Sequence, residues 1–134
     1  MAAGLAGAAR LDKSDKKIYV IMGDGESREG QIWEAVDFIA DHKLTAVRMI
    51  FNCNGQGQSD YVSVQQSAET LAAKLSAFNC DVKTIDGHSW SEVLGALSAE
   101  PSERPLAVVA KTVKGWGVTE LQTVSYTHLR AHET

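Results

Sequence analysis

The sequence predicts an α/β fold, a parallel sheet with helices on both faces. Two observations predict it. Short apolar runs rich in β-branched residues alternate with stretches of helical period. The helical stretches are about 11 residues long, enough for the crossover of a βαβ unit. Right-handed crossovers would distribute the helices over both faces. No internal repeat is visible.

Residues 2 to 11 read as a helix that starts abruptly. Ile18 to Met22, IYVIM, reads as a buried strand, and GDGESREG follows as a loop. In QIWEAVDFIADHKL, residues Ile32, Trp33, Val36, Ile39 and Ala40 form one apolar helical stripe, with His42 near its C-terminus. Ala46 to Asn52 is the second strand, and CNGQGQSDYVSVQQ a polar loop. SAETLAAKLSAF spaces Leu71, Leu75 and Phe78 for a helix, with Ser67 as N-cap. DVKTI is the third strand, and Asp86-Gly87 a turn. Ser89 and Glu92 form a capping-box pattern at the head of WSEVLGALSAE. Leu106 to Thr112 is the fourth strand, and Gly115 and Gly117 flank Trp116 in a loop.

A chain of 134 residues suits one domain. Its core can bury roughly two thirds of the unfolded surface. The net charge of -4 comes without a basic stripe, which argues against a nucleic-acid partner. No apolar run is long enough to cross a bilayer. The opening MAAGLAGAAR is not followed by the apolar stretch of a secretory signal. Cys53 and Cys80 lie far apart with no CxxC, as expected for two reduced thiols in a cytoplasmic protein.

In an open parallel sheet, ligands bind at the carboxyl ends of the strands. Two loops leave the carboxyl ends of consecutive expected strands. One holds Gly23-Asp24-Gly25-Glu26 and the other Asn52-Cys53-Asn54-Gly55-Gln56. Asp24 offers a carboxylate and Asn54 an amide oxygen, while glycine lets the backbone turn a carbonyl inward. Oxygen donors of this kind suit Mg²⁺, which completes its shell with phosphate oxygens and water. Gly25-x4-Gly30 has the glycine spacing of a nucleotide-binding P-loop. It is followed by Gln31-Ile32, however, so the phosphate-binding lysine and the metal-binding hydroxyl are both missing. Asp24, Glu26 and Glu29 make the loop acidic. Such a loop holds a phosphate only where a divalent cation bridges the two. Read singly, Asp24-Gly25 and Asn54-Gly55 are turn dipeptides. Their placement after adjacent strands makes them a pair.

GDG followed by an asparagine about thirty residues later resembles the thiamine-diphosphate fingerprint. GDGESREGQIWEA with IFNCNGQGQS resembles its transketolase version. The resemblance continues through IDGH, Ile85 to His88, and PLAVVAKTVKGWG, Pro105 to Gly117. It implies a thiamine-diphosphate-binding fold and specific roles. Asp24 and Asn54 would bind Mg²⁺, or Ca²⁺ in its place, by their side chains, and Gln56 by its backbone carbonyl. Gly23, Gly25, Glu26 and Asn54 would line the cofactor. Glu29 would act at a dimer interface, in a network joining two active sites. The implied parent is a homodimeric cytoplasmic transferase of the pentose phosphate pathway, moving a two-carbon ketol unit between sugar phosphates.

The resemblance also implies more chain than is present: an upstream histidine-bearing stretch, and a second domain that grips the aminopyrimidine. Residues 1–122 would then be a partial diphosphate-binding domain. After Gln122 the sequence TVSYTHLRAHET shows no period, and resembles translated adapter read-through. Residues 123–134 are therefore expected to be a non-native or disordered tail. Two other readings stay open. One is a thiamine-diphosphate-dependent 2-oxo acid dehydrogenase, which shares the metal loop; the other is a non-catalytic α/β module binding a metal or a partner. His88 reads as a turn residue rather than a base, Lys111 and Lys114 as solvated, and Trp33, Trp90 and Trp116 as packing residues.

Overall fold

A computed structural model describes residues 1–57, 60–100 and 102–122. The boundary expected at 122 sets off a tail, residues 123–134, that lies outside the described residues. In chain order the elements are α1 (Ala2–Leu11), β1 (Ile18–Gly23), a 3-10 turn (Gly25–Arg28), α2 (Gly30–Asp41), β2 (Val47–Cys53) and a second 3-10 turn (Val64–Gln66). Then come α3 (Ala68–Ala77), β3 (Asp81–Asp86), α4 (Trp90–Leu97), β4 (Leu106–Lys111) and a single turn, α5 (Thr119–Gln122). The strands form one parallel sheet in the order β1-β2-β4-β3. The chain thus steps from β1 to β2, passes over one position to β3, and returns to place β4 between them.

Alternation along β2 divides the interior into two layers. Val47, Met49, Phe51 and Cys53 point to one face, where they meet Ala6 of α1, Val36 and Ile39 of α2, and Leu71 and Leu75 of α3. Burying either leucine contributes about 1.5 to 3 kcal/mol. The other face carries Leu106 and Val108 of β4 under Ala96 of α4, flanked by Ile50 and Ile85. Helices therefore cover both faces, three on one and α4 on the other.

Strand β1 departs from the expectation of burial on both sides. Met22 is buried, but Tyr19 and Ile21 are 52% and 71% exposed. The reason is position. β1 is an edge strand, and on the α4 side the described helices cover only the β3–β4 half of the sheet. Trp90 and Leu94 of α4 are exposed as well, so Trp90 is not the packing residue its type suggested. Arg48 is fully buried on the α4 face of β2. Its guanidinium donates to the carbonyls of Thr45 at 3.0 Å and Ala99 at 3.5 Å, and Nε finds no partner among the described residues. It ties the start of β2 to the segment just past α4, where carbonyls carry the negative end of the helix dipole.

The caps follow the sequence. Ser67 Oγ accepts the Thr70 N–H at 3.2 Å. Ser89 Oγ accepts the Glu92 N–H at 3.4 Å, but the box closes differently from the expected pattern. Glu92 Oε2 reaches past Ser89 and accepts the Asp86 N–H at 2.9 Å. Among the described residues no helix is long and apolar enough to cross a membrane.

Candidate functional site

The parallel register sets Gly23 of β1 beside Asn52 of β2, so the two loops leave the sheet side by side. The first loop turns at once. Asp24 has helical backbone angles and caps the 3-10 turn, its Oδ1 accepting the Gly25 N–H at 2.7 Å. Its Oδ2 accepts the N–H of Gly55 in the second loop, also at 2.7 Å. One carboxylate therefore binds the two loops together. Gly25 touches the second loop as well: a Cβ there would lie 3.3 Å from the Gly57 Cα. A side chain there would need the Gly57 backbone to give way by a few tenths of an ångström.

Asp24 is only 2% exposed, and among the described residues no cationic side chain pairs with it. A buried negative charge held by amides alone is electrostatically open to a cation. Each carboxylate oxygen keeps a lone pair after its one N–H bond. Asn54 Oδ1 accepts the Gln56 N–H at 2.9 Å, which curls the second loop. Asp24, Asn54 and Gln56 line one cavity of about 560 Å³, together with Gly23, Gly25, Glu26 and Glu29. All seven residues singled out in the sequence thus meet at one place. Among the described residues there is no group of three His, Cys, Asp or Glu side chains that could hold a metal. Asp24 gives this place its buried carboxylate, with the oxygens of Asn54 and Gln56 beside it, a set suited to a hard cation that keeps phosphate or water ligands.

Glu26 turns back on its own loop, its Oε2 accepting the Gly23 N–H at 3.1 Å. Glu29 is exposed at the head of α2, and its side chain makes no capping bond. Other residues join the site that no motif marked as part of it. Ser27 is buried and donates its hydroxyl to the Asp24 carbonyl. The Trp33 indole N–H donates to the Ser27 carbonyl at 2.8 Å, so this tryptophan packs against Phe51 and Phe78 and braces the turn. Arg28 Nε donates to Gln66 Oε1 at 3.2 Å, joining the first loop to the segment before α3. Thr112 donates through Oγ1 to Asn52 Oδ1 at 2.6 Å and through its N–H to the Cys53 carbonyl at 2.9 Å.

A neighbouring cavity of about 450 Å³ shares Asp24 and Asn54 and extends to Lys111 and Thr112. Lys111 is not simply solvated: its Nζ lies 2.6 Å from Glu69 Oε1. That contact holds the Glu69 carboxyl below its ordinary range. Burial, and then the charge of Asp24, push the Cys53 thiol up to about 12. Burial likewise raises Cys80 to about 11. Both cysteines are free and buried. His88 sits at the exit of β3 and accepts the Val113 N–H.

The profile of the family described as "Transketolase, thiamine diphosphate binding domain" matches residues 3–133. The transketolase of Rattus norvegicus is 36% identical over 112 residues, 84% of this chain and 18% of the rat protein. A 6-deoxy-6-sulfo-D-fructose transketolase subunit from Clostridium sp. (strain MSTE9) is 34% identical over 120 residues, covering 88% of this chain and 44% of that one. Among solved structures, a transketolase from Campylobacter jejuni subsp. jejuni NCTC 11168 superposes with a TM-score of 0.71 at 28% identity. That match covers 89% of this chain and 20% of the other. The chain therefore spans about a fifth of the length of the mammalian transketolases it matches.

Proposed function

The chain belongs to the family of transketolase thiamine diphosphate-binding domains, and from that premise we propose that its β1 and β2 exit loops anchor Mg²⁺ and, through it, the cofactor's diphosphate. The observation that carries this reading is the closure of the two loops on Asp24. A buried carboxylate joins them, and Asn54 and Gln56 open on the same cavity.

Asp24 and the Asn54 side chain would hold the ion, with Gln56 giving its backbone carbonyl. Ca²⁺ could take the same place, since the donors are all oxygen. Gly23 and Gly25 would let the diphosphate approach the main chain, and Glu26 would fix the turn by accepting the Gly23 N–H. The acidic loop then needs the cation, because Asp24, Glu26 and Glu29 would otherwise repel a phosphate. Thiamine diphosphate, when bound, supplies the carbon that accepts and passes on a two-carbon ketol unit. The parent activity would be ketol transfer between sugar phosphates, in a cytoplasmic homodimer. Glu29, exposed at the head of α2, would face the second subunit there.

Calorimetric titration of the chain with thiamine diphosphate tests the anchor. Binding should require Mg²⁺ and vanish with a chelator. Asp24→Ala should weaken metal and cofactor together, by at least about tenfold, or 1.4 kcal/mol. Asp24→Asn should preserve the packing better yet still lose the charge that balances the ion. Cofactor binding that ignores Mg²⁺, or that survives intact in Asp24→Ala, would contradict the assignment.

A further inference from the structure

The turn that leaves β3 is fastened to the loop that leaves β4. His88 Nε2 accepts the Val113 N–H at 2.9 Å. The imidazole lies on the Trp116 ring, with centroids 4.2 Å apart and planes 17° from parallel. One residue earlier, the Gly87 N–H donates to the Lys111 carbonyl at 2.8 Å. A Cβ at Gly87 would collide with Thr112 Cγ2. The turn is braced from behind. The His88 N–H donates to Asp86 Oδ1, and the Asp86 N–H donates to Glu92 Oε2 of α4, each at 2.9 Å. The far side of the latched segment reaches the candidate site, because Thr112 bonds to both Asn52 and Cys53 of β2.

We infer that His88 is a positioning residue: it latches the Thr112–Gly117 loop against the exit of β2, and the latch closes only while the imidazole is neutral. A ring nitrogen that accepts an N–H carries no proton, so the neutral ring has its hydrogen on Nδ1. Protonation turns Nε2 into a donor facing another donor, and the Val113 bond is lost. The stack behaves differently, because an imidazolium over an indole gains a cation–π attraction. Acid therefore frees the backbone of Val113 without driving the ring off Trp116. The charged groups on the elements packed around the ring are Asp86 of β3, Glu92 of α4, Lys111 of β4 and Lys114 of its loop. The latch stands on this geometry alone. Its consequence for diphosphate binding rests on the function proposed above.

Amide exchange followed by NMR on the 134-residue chain tests it, comparing about pH 8 with about pH 5, the range in which histidine switches. The Val113 protection factor should fall by roughly fivefold or more on acidification, the net worth of one hydrogen bond. Gly87, whose bond to Lys111 does not involve the ring, should hold steady and report that the fold is intact. His88→Phe keeps a ring for the stack but has no acceptor. It should show low Val113 protection at both pH values. Constant Val113 protection in the parent, or parent-like protection in His88→Phe, would overturn the latch. Titration with Mg²⁺ and thiamine diphosphate at both pH values separates the second question. A loss of affinity on acidification in the parent, absent in His88→Phe, supports positioning of the site. Equal loss in both proteins overturns that role. No binding even at about pH 8 would overturn the cofactor reading and with it the effect on the site, while the exchange data still decide the latch.

Discussion

Gly87 and Gly95 show how differently two glycines eight residues apart are used. A side chain at Gly87 would meet Thr112 Cγ2, the Lys111 carbonyl at 3.1 Å and the Ala110 Cβ at 3.3 Å. All three atoms belong to the β4 strand or its exit, so none yields without the strand moving. Gly87→Ala should therefore cost about 1 to 3 kcal/mol through overpacking. Gly95 lies inside α4 with nothing near its missing Cβ. Gly95→Ala should stabilise by up to about 1 kcal/mol, the helix propensity difference. Urea denaturation of the two variants should move the midpoint in opposite directions. The thiol of Cys53 gives a pH-dependent counterpart. Its pKa is raised from 9.0 to about 12 by burial, and further by Asp24. A raised pKa means that the folded state holds the proton longer than the unfolded chain does. The associated stability is complete below about 9 and is lost as pH rises toward 12. Cys53→Ala should accordingly flatten the decline in melting temperature on the alkaline side. An unchanged slope would show that the thiol is not a source of that decline.

At the scale of elements, α1, α2 and α3 end in the same way without using glycine. Lys13, Lys43 and Asn79 take positive φ values of 52°, 49° and 61° just past α1, α2 and α3. After each, the next N–H returns to a carbonyl inside the helix: Ser14 to Ala9, Leu44 to Ile39 and Cys80 to Leu75. This closes the last turn and directs the chain back to the sheet. Asparagine tolerates that backbone region, whereas lysine pays for its Cβ. Lys43→Gly should thus raise stability by about 1 kcal/mol, partly offset by greater freedom in the unfolded chain. Lys43→Val should lower it. Thermal melts of the pair, read against Asn79→Gly with its smaller expected gain, check whether backbone strain is the cause. A loss of stability in Lys43→Gly would mean that the lysine side chain contributes more than its backbone costs.

On the scale of the whole molecule, the sheet gathers its exit loops along one edge and leaves part of the opposite layer open. Tyr19, Ile21, Trp90 and Leu94 are exposed apolar side chains, on β1 and on the outer side of α4. The loops of β1 and β2 present the proposed anchor, a buried carboxylate with amide oxygens and turn glycines. Ketol transfer asks for more, since the reacting carbon and the sugar must be held in near-attack geometry. This chain spans about a fifth of the length of the mammalian transketolases it matches. The chain made alone is therefore expected to show no ketol transfer between xylulose 5-phosphate and ribose 5-phosphate, even with thiamine diphosphate and Mg²⁺. Turnover by the purified chain that is abolished by Asp24→Ala would show that the anchor region suffices for chemistry.

By itself, the sequence determined the alternation of strands and helices, the parallel sheet, the Ser67 cap and the two loops that meet at Asp24. These are local or periodic properties. Alternating apolar residues need a sheet face, a serine before a helix needs the first free N–H groups, and aspartate and asparagine beside glycine need a turn. The tertiary structure decided what depends on strand order. β4 lies between β2 and β3, so Thr112 reaches Asn52 and Cys53 across a separation that no local pattern records. The same order makes β1 an edge, which is why an apolar run that reads as fully buried exposes Tyr19 and Ile21. His88 read as a turn residue, and its place in the chain agrees with that. Only the adjacency of the β3 and β4 exits gives it Val113 and Trp116 as partners. A hydrogen bond between residues 25 positions apart is set by packing, because only the assembled sheet brings its donor and acceptor within reach.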